Sequence, residues 1–124
     1  MSNVDTVIEQ IRAEANKLHQ KLDEASAKNE PAMRKANEDA AEKAQLLAKK
    51  VRTAAQEHRS DAAARLAGAA ASLEAAATSA KKTVDAKQAD LGARNQETLH
   101  HVRAALQNIS QAIATKSAQV KQRA

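Results

Sequence analysis

The chain contains no aromatic residue and no cysteine, and it has only two glycines and one proline in 124 residues. Without Phe, Trp or Tyr it lacks the side chains that bury the most surface in ordinary globular cores. Without cysteine it has no disulfide, no thiol nucleophile and no cysteine-based zinc site. An all-β fold needs frequent turns and a phosphate-binding loop needs several glycines, so this composition excludes both.

Long apolar segments are also missing from this sequence. No run of apolar residues approaches the roughly 20 that are needed to span a bilayer. The first residues, Met1 to Asp5, lack the basic start and the apolar stretch of a secretory signal. We therefore expect a cytoplasmic protein, and the length of 124 residues is enough for one modest domain.

Strong helix formers dominate what is present. The hydrophobic fraction of 43% is mostly alanine, and Lys, Glu, Gln, Arg and Leu supply much of the remainder. The large aliphatic residues recur with an 11-residue repeat, which corresponds to three helical turns. This repeat places most of them on one apolar stripe, with Val4 and Ile8 beside the stripe and Leu46 alone on the opposite face.

The apolar stripe keeps its register across Pro31, Gly68 and Gly92. We therefore predict an all-α fold: residues 1–124 form a single elongated domain, a nearly continuous helix on the order of 180 Å long, with room for a kink at residues 29–31. An 11-residue repeat favours a straight or slightly right-handed supercoil, so the helix is expected to self-associate as a coiled coil. The predicted oligomer seam, whose members are named the seam residues, consists of Leu18, Leu22, Leu47, Val51, His58, Leu66, Leu73, Val84, Leu91, Leu99, Val102, Leu106 and Ile113.

Two further features of the stripe concern its packing. Before Met33 a seven-residue spacing also fits, which is the spacing of an ordinary coiled coil. It runs through Val4, Ile8, Ile11, Ala15, Leu18, Leu22 and Ala25. Polar residues interrupt the stripe at Asn29, His58, Gln88 and Asn95. Buried polar residues of this kind can set the register between helices.

The same sequence also allows a chain that folds back on itself. Asn29 and Pro31 match the end of one helix and the start of another. Ser60 matches an internal N-cap, and Gly92 matches a helix stop. Breaks near residues 30, 60 and 92 would give an antiparallel hairpin or a four-helix bundle. In that case the Ala-rich stretch 62–80 would let two helices approach closely.

Charge is unevenly distributed along and around the predicted helix. The net charge is +5, with six acids against four bases in residues 1–30 and one acid against five bases in residues 91–124. Most bases flank the apolar stripe and many acids lie opposite it, so the basic head groups are placed to meet anionic lipid. The basic flank consists of Lys43, Lys50, Arg52, Arg59, Arg65, Lys87, Arg94 and Arg103.

Two families share this pattern. The segment Ala80–Ala89, AKKTVDAKQA, resembles the 11-residue repeat of group 3 late embryogenesis abundant (LEA) proteins. The layout of bases beside the stripe and acids opposite is similar to the helices of exchangeable apolipoproteins. The LEA resemblance implies a disordered chain that becomes helical on drying or at membranes. The apolipoprotein resemblance implies reversible binding to lipid surfaces.

Candidate catalytic and metal-binding groups are sparse. His100 and His101 are adjacent, and neighbouring helical residues point in different directions, so the pair is a poor chelate. Catalysis needs a concave pocket that excludes water, which a single helix lacks. We therefore predict no catalytic, metal-binding or cofactor-binding residue and no small-molecule substrate.

These patterns favour a non-enzymatic structural or adaptor protein. It would form an oligomeric helical rod, from dimer to tetramer, that tethers or organises protein partners. The alternative is a LEA-like or apolipoprotein-like protein that binds lipid surfaces or protects them under stress. Non-specific nucleic-acid binding through the basic segment 34–59 is a lesser alternative, because acids interrupt that segment and no aromatic residue can stack on bases.

Overall fold

The computed structural model describes the backbone of residues 3–57 and 61–123 and the side chains of residues 7–56 and 62–114. Four helices make up nearly all of it: α1 (Asn3–Ser26), α2 (Glu30–Glu57), α3 (Asp61–Val84) and α4 (Gln88–Arg123). There is no strand within these ranges, so the predicted all-α class is confirmed.

The structure does not support the single continuous helix, and the four-helix alternative fits better. The kink expected at residues 29–31 is a full break, since α1 ends at Ser26 and α2 begins at Glu30. The third break lies at residues 85–87, and Gly92 stands inside α4 rather than at a helix stop. The N-cap predicted at Ser60 lies outside the described residues.

Local side-chain chemistry explains the first break. Asn29 Oδ1 accepts a hydrogen bond from the Ala32 N–H at 3.1 Å, which satisfies one of the free amides at the start of α2. Pro31 suits the first turn because its missing N–H would have no partner there. At the end of α1, the Ser26 hydroxyl donates to the Asp23 carbonyl at 2.6 Å. The helix start that the sequence indicated at Asn29 is therefore confirmed.

The helices pack as an antiparallel bundle. Each one contacts the next in the chain, α1 also contacts α4, and α2 touches α4 across the centre. Short connections such as 27–29 and 85–87 favour this up-and-down order. The backbones come closest where α3 lies between α2 and α4. Alanines fill most of the buried positions of α3, so the close approach predicted for residues 62–80 is confirmed.

In every helix one set of buried positions follows a seven-residue spacing, with alternating steps of three and four residues. This spacing keeps one face of a helix against its neighbours in bundles and coiled coils. The positions are Ile8, Ile11, Ala15, Leu18, Leu22 and Ala25 in α1; Asn37, Ala40, Ala44, Leu47, Val51 and Ala54 in α2; Leu66, Ala69, Leu73, Ala76, Ala80 and Thr83 in α3; and Asn95, Thr98, Val102, Ala105, Ile109 and Ala112 in α4. The spacing predicted before Met33 is confirmed, except at Val4, whose side chain lies outside the described part.

The four sets of buried positions are offset from one another by 29 residues, so that Ile8 corresponds to Asn37, Leu66 and Asn95. An interval of 29 residues corresponds to eight turns of an α-helix, at about 3.6 residues per turn. The buried positions of successive helices therefore keep the angular positions that they would have in one continuous helix. This explains why a register typical of one long helix occurs in a chain that folds back on itself.

Candidate functional site

Most seam residues lie inside the bundle of a single chain. The buried members are Leu18, Leu22, Leu47, Val51, Leu66, Leu73, Leu91, Leu99 and Val102. Leu106 and Ile113 are partly buried against the same core, Val84 is half-buried, and His58 lies outside the described residues. Contacts between helices of one chain account for this burial, so the homo-oligomer stays a prediction.

The exposure of apolar residues shows where the buried face agrees with the stripe predicted by the 11-residue repeat and where it is shifted by one residue. Leu46, predicted on the opposite face, is 58% exposed, which confirms its placement. Val7 is 36% exposed whereas the neighbouring Ile8 is buried. In α1 the buried residue thus follows the predicted one. In α4 it precedes the predicted one, since Ala105 is fully buried and Leu106 only partly. Both shifts follow from the seven-residue spacing that each helix keeps within itself.

The basic flank lies on the outside of the bundle. Its described members are all exposed: Lys43, Lys50, Arg52, Arg65, Lys87, Arg94 and Arg103. Arg59 lies outside the described residues. Arg103 Nε donates a hydrogen bond to His19 Nε2 of α1 at 3.1 Å, and Arg94 lies 3.6 Å from Glu97 on its own helix. Arg103 therefore lies at the outer edge of the α1–α4 interface.

Two ion pairs connect α2 with its neighbours. Lys50 Nζ lies 3.6 Å from Glu14 Oε2 of α1, and Arg52 Nε donates to Glu74 Oε1 of α3 at 2.7 Å. The hydrogen bond from Arg52 lowers the pKa of Glu74 below its ordinary value of 4.5, and the same bond raises the pKa of Arg52. Because water screens exposed pairs, they contribute little to stability.

Arg34 of α2 holds the end of α3. Its guanidinium donates to the Val84 carbonyl at 2.6 Å and to the Ala86 carbonyl at 2.8 Å. Glu30, one turn earlier, accepts from the same guanidinium at 2.9 Å and orients it. The sequence placed Arg34 in a segment for phosphate contacts and missed this role. A separation of four residues places Glu30 and Arg34 on one helix face, but the carbonyls stand 50 and 52 residues further along the chain.

A set of buried polar side chains, named the polar layer, crosses the bundle near the 27–29 and 85–87 connections. Its members are Asn37, Ser79, Thr83, Asn95 and Thr98. Asn37 Nδ2 donates to Asn95 Oδ1 at 2.8 Å, and Asn95 Nδ2 donates to the Leu22 carbonyl at 3.3 Å. One turn further along α4, Thr98 Oγ1 lies 3.0 Å from Ser79 Oγ and 3.5 Å from Thr83 Oγ1. The polar layer therefore connects all four helices.

One acceptor in the polar layer has no donor among the side chains and backbone that the structure describes. Asn37 is fully buried, and its Nδ2 also donates to the Met33 carbonyl at 2.8 Å, whereas its Oδ1 has no hydrogen-bond partner among the described residues. Of the polar residues that the sequence placed on the stripe, Asn95 is buried, while Asn29 and Gln88 are exposed at helix starts. Asn37 was not singled out, although it lies one position from the stripe.

The titratable side chains do not converge in the described part of the chain. No group of His, Cys, Asp or Glu residues there is arranged to hold a metal ion. The His100 and His101 rings stand edge to face, with their centroids 5.7 Å apart. Among the helices as described, none is long and apolar enough to cross a membrane. The described residues offer a charged exterior and a buried polar layer.

Comparison with known proteins adds no identification. No protein-family model, no curated protein and no solved structure matches the chain. The resemblance to LEA and apolipoprotein helices therefore stays a prediction from the sequence pattern.

Proposed function

We propose that the chain is a non-enzymatic structural or adaptor protein that works as a folded helical bundle. The observation that carries this proposal is the separation of its side chains. The apolar stripes of the four helices lie against one another, while the basic flank and its acidic partners lie outside. A partner therefore meets charged helix faces, and charge complementarity across such faces gives selectivity and fast association.

The distribution of charge favours an acidic protein partner for the α3–α4 half. Residues 61–124 carry nine bases and five acids, whereas residues 1–60 carry eleven bases and ten acids. The α3–α4 half thus holds most of the net charge of +5. Its basic flank members are exposed on the outer surface, where they can attract an acidic surface over about one Debye length.

Site-specific photo-crosslinking in cells of the native host tests this proposal. A photoreactive residue is placed at Gln96 or at Gln107, two exposed uncharged positions of α4, so that the basic flank stays intact. The control position is Leu46 on the outer face of α2, which is also exposed. We expect discrete protein adducts from the α4 positions, fewer from Leu46, and loss of the adducts when Arg94 is replaced by Glu. The absence of protein adducts at the α4 positions would contradict the adaptor function.

A second candidate function is reversible binding to anionic lipid, and a specific observation favours it. Each buried stripe has exposed bases at its edge, such as Lys50 in α2 and Arg94 in α4. A helix that left the bundle would present an apolar face bordered by positive charge, the arrangement found in helices that lie in a membrane interface. In this function the bundle is the closed state, and lipid binds the opened helices.

A disulfide that locks α3 to α4 tests the lipid function. Ser79 Oγ and Thr98 Oγ1 are 3.0 Å apart, so Ser79→Cys with Thr98→Cys places two sulfurs within bonding reach in a chain that has no other cysteine. We expect the reduced variant to bind vesicles of anionic lipid and the oxidised variant to bind them more weakly, with zwitterionic vesicles as the control. No binding in either state would contradict the lipid function.

A further inference from the structure

We propose that the Asn37–Asn95 amide pair fixes the alignment of α2 against α4, and thereby selects one packing arrangement of the bundle, at a cost in stability. Both helices pack antiparallel to α3 and therefore run in the same direction. They touch across the centre of the bundle. Asn37 and Asn95 stand at corresponding positions, 58 residues apart, and both are fully buried. Their side chains form a direct hydrogen bond of 2.8 Å between the two helices.

The apolar positions do not define this alignment by themselves. Every helix repeats the same steps of three and four residues, and alanine fills many of the positions. When one helix slides along another by seven residues, apolar positions again meet apolar positions. A core of small, similar side chains distinguishes such arrangements poorly, because little shape complementarity is lost in the slide.

The amides do distinguish these arrangements. If α2 slid by one heptad, Asn37 would face the level of Val102 instead of Asn95, and both amides would be buried without each other. In the observed alignment Asn95 also donates to the Leu22 carbonyl, which ties α1 to the same level of the bundle. Only the native arrangement gives acceptors on neighbouring helices to both Asn37 Nδ2 and Asn95 Nδ2.

Asn37 Oδ1, to which none of the described residues donates, indicates how the pair affects stability. A buried acceptor without a donor lowers stability relative to an aliphatic side chain of similar size. The pair therefore lowers the stability of the core but determines how α2 is aligned against α4. Buried polar residues with this role are best established in coiled coils.

The test replaces both amides in the full-length chain, as Asn37→Leu with Asn95→Leu. We expect the urea midpoint to rise and the helical circular dichroism to be kept, whereas the single set of peaks in the ¹H–¹⁵N NMR spectrum broadens or doubles. The single Asn37→Leu removes the donor to Asn95 and should lower the midpoint. Thr98→Val is the matched control, since it alters the polar layer without touching the pair, and one set of peaks is expected.

A second variant keeps the test decisive if the leucines prevent folding. Asn37→Ala and Asn95→Ala combined with Ala44→Asn and Val102→Asn move the pair by one heptad along both helices, to positions that are also buried. The relocated amides can form their hydrogen bond only in the same alignment of α2 and α4, so one set of peaks should return. The proposal is overturned if the double-leucine variant keeps one set of peaks, if its midpoint falls, or if the relocated pair fails to give a single set.

Discussion

At the scale of single residues, the two glycines stand inside helices but in different surroundings. A methyl group at position 92 would meet nothing within 4 Å, whereas one at position 68 would lie 3.3 Å from Asn108 Oδ1. Gly92→Ala should therefore raise the free energy of unfolding by about 0.5–1 kcal/mol through helix propensity. Gly68→Ala should gain less, because Asn108 must move. Urea unfolding measures both, and an equal gain would show that Asn108 moves aside without cost.

Arg34 gives a second prediction at this scale. Arg34→Ala frees the Val84 and Ala86 carbonyls at the end of α3 and should lower the free energy of unfolding by about 1–2 kcal/mol. Arg34→Lys should recover only part of this stability. An ammonium group can donate to a carbonyl, but it lacks the planar fork that reaches both carbonyls. Lys35→Ala, at the exposed neighbouring position, is the control. If that control lost as much stability, helix propensity and not the carbonyl contacts would be responsible.

The Arg52–Glu74 pair predicts a pH dependence. The pKa of Glu74 is lowered in the folded state by the hydrogen bond from Arg52. A lowered folded-state pKa means that the pair stabilises the bundle above the ordinary value of 4.5 and that this contribution is lost as the pH falls through the folded-state pKa. The melting temperature of Glu74→Gln should therefore lie slightly below that of the parent at about pH 7 and converge with it as the pH falls through the folded-state pKa of Glu74. A difference that persists in acid would point to packing.

Residue roles were predictable where they depend on position along one helix. The exposure of Leu46 and the burial of Leu73 follow from periodicity alone. The role of Arg34 did not follow, because its acceptors are backbone carbonyls of another helix. Asn37 was missed for a similar reason, since its partner Asn95 is near only after the chain has folded back twice.

At the scale of helices, the third break shows how packing overrides propensity. Gly92 was expected to stop a helix, because a glycine inside a helix costs about 1 kcal/mol relative to alanine. Leu91 and Asn95 on the same turn are both buried, and this burial holds the glycine in helical conformation. The break occurs instead after Val84, where Arg34 binds the free carbonyl. Neither effect has a local sequence signal.

Insertions separate helices from connections. One alanine inserted between Leu73 and Glu74 rotates the rest of α3 by roughly 100°, so that Ala80 and Thr83 leave the core and Lys82 takes the buried position of Thr83. We expect a loss of several kcal/mol or of folding. One alanine inserted between Lys28 and Asn29, in the 27–29 connection, should change the free energy of unfolding by about 0.6 kcal/mol or less. Circular dichroism during thermal unfolding compares the two, and equal damage would contradict the helix bounds.

At the scale of the whole molecule, sequence periodicity identified the helices and their buried faces but not their arrangement. The four-helix alternative followed from break signals near residues 30, 60 and 92. The first lies beside the 27–29 connection, the second is at Ser60, outside the described residues, and the third lies within α4. That α1 packs beside α4 is a property of the folded chain. It depends on side chains that lie far apart in sequence, such as His19 and Arg103, and no local pattern encodes their contact.

The shared core gives a prediction for the molecule as one unit. Leu73 is fully buried among the helices, whereas Leu46 is 58% exposed. Leu73→Lys buries an unpaired ammonium group and should cost several kcal/mol, a large part of the total stability of about 5–15 kcal/mol for a domain. Leu46→Lys should stay within about 0.5 kcal/mol of the parent. Chemical denaturation with sedimentation measures both, and a large loss from Leu46→Lys would mean that this outer face is covered in solution.

The 29-residue offset between helices has a consequence for the shapes that this chain encodes. If a connection such as 27–29 became helical, the helices on its two sides would join with their apolar faces in line, because each interval holds a whole number of turns. The closed bundle and a straightened helix therefore use the same arrangement of apolar residues and differ in the connections. Residues such as Asn29 and Arg34, which cap helices at those connections, hold the chain in the closed shape.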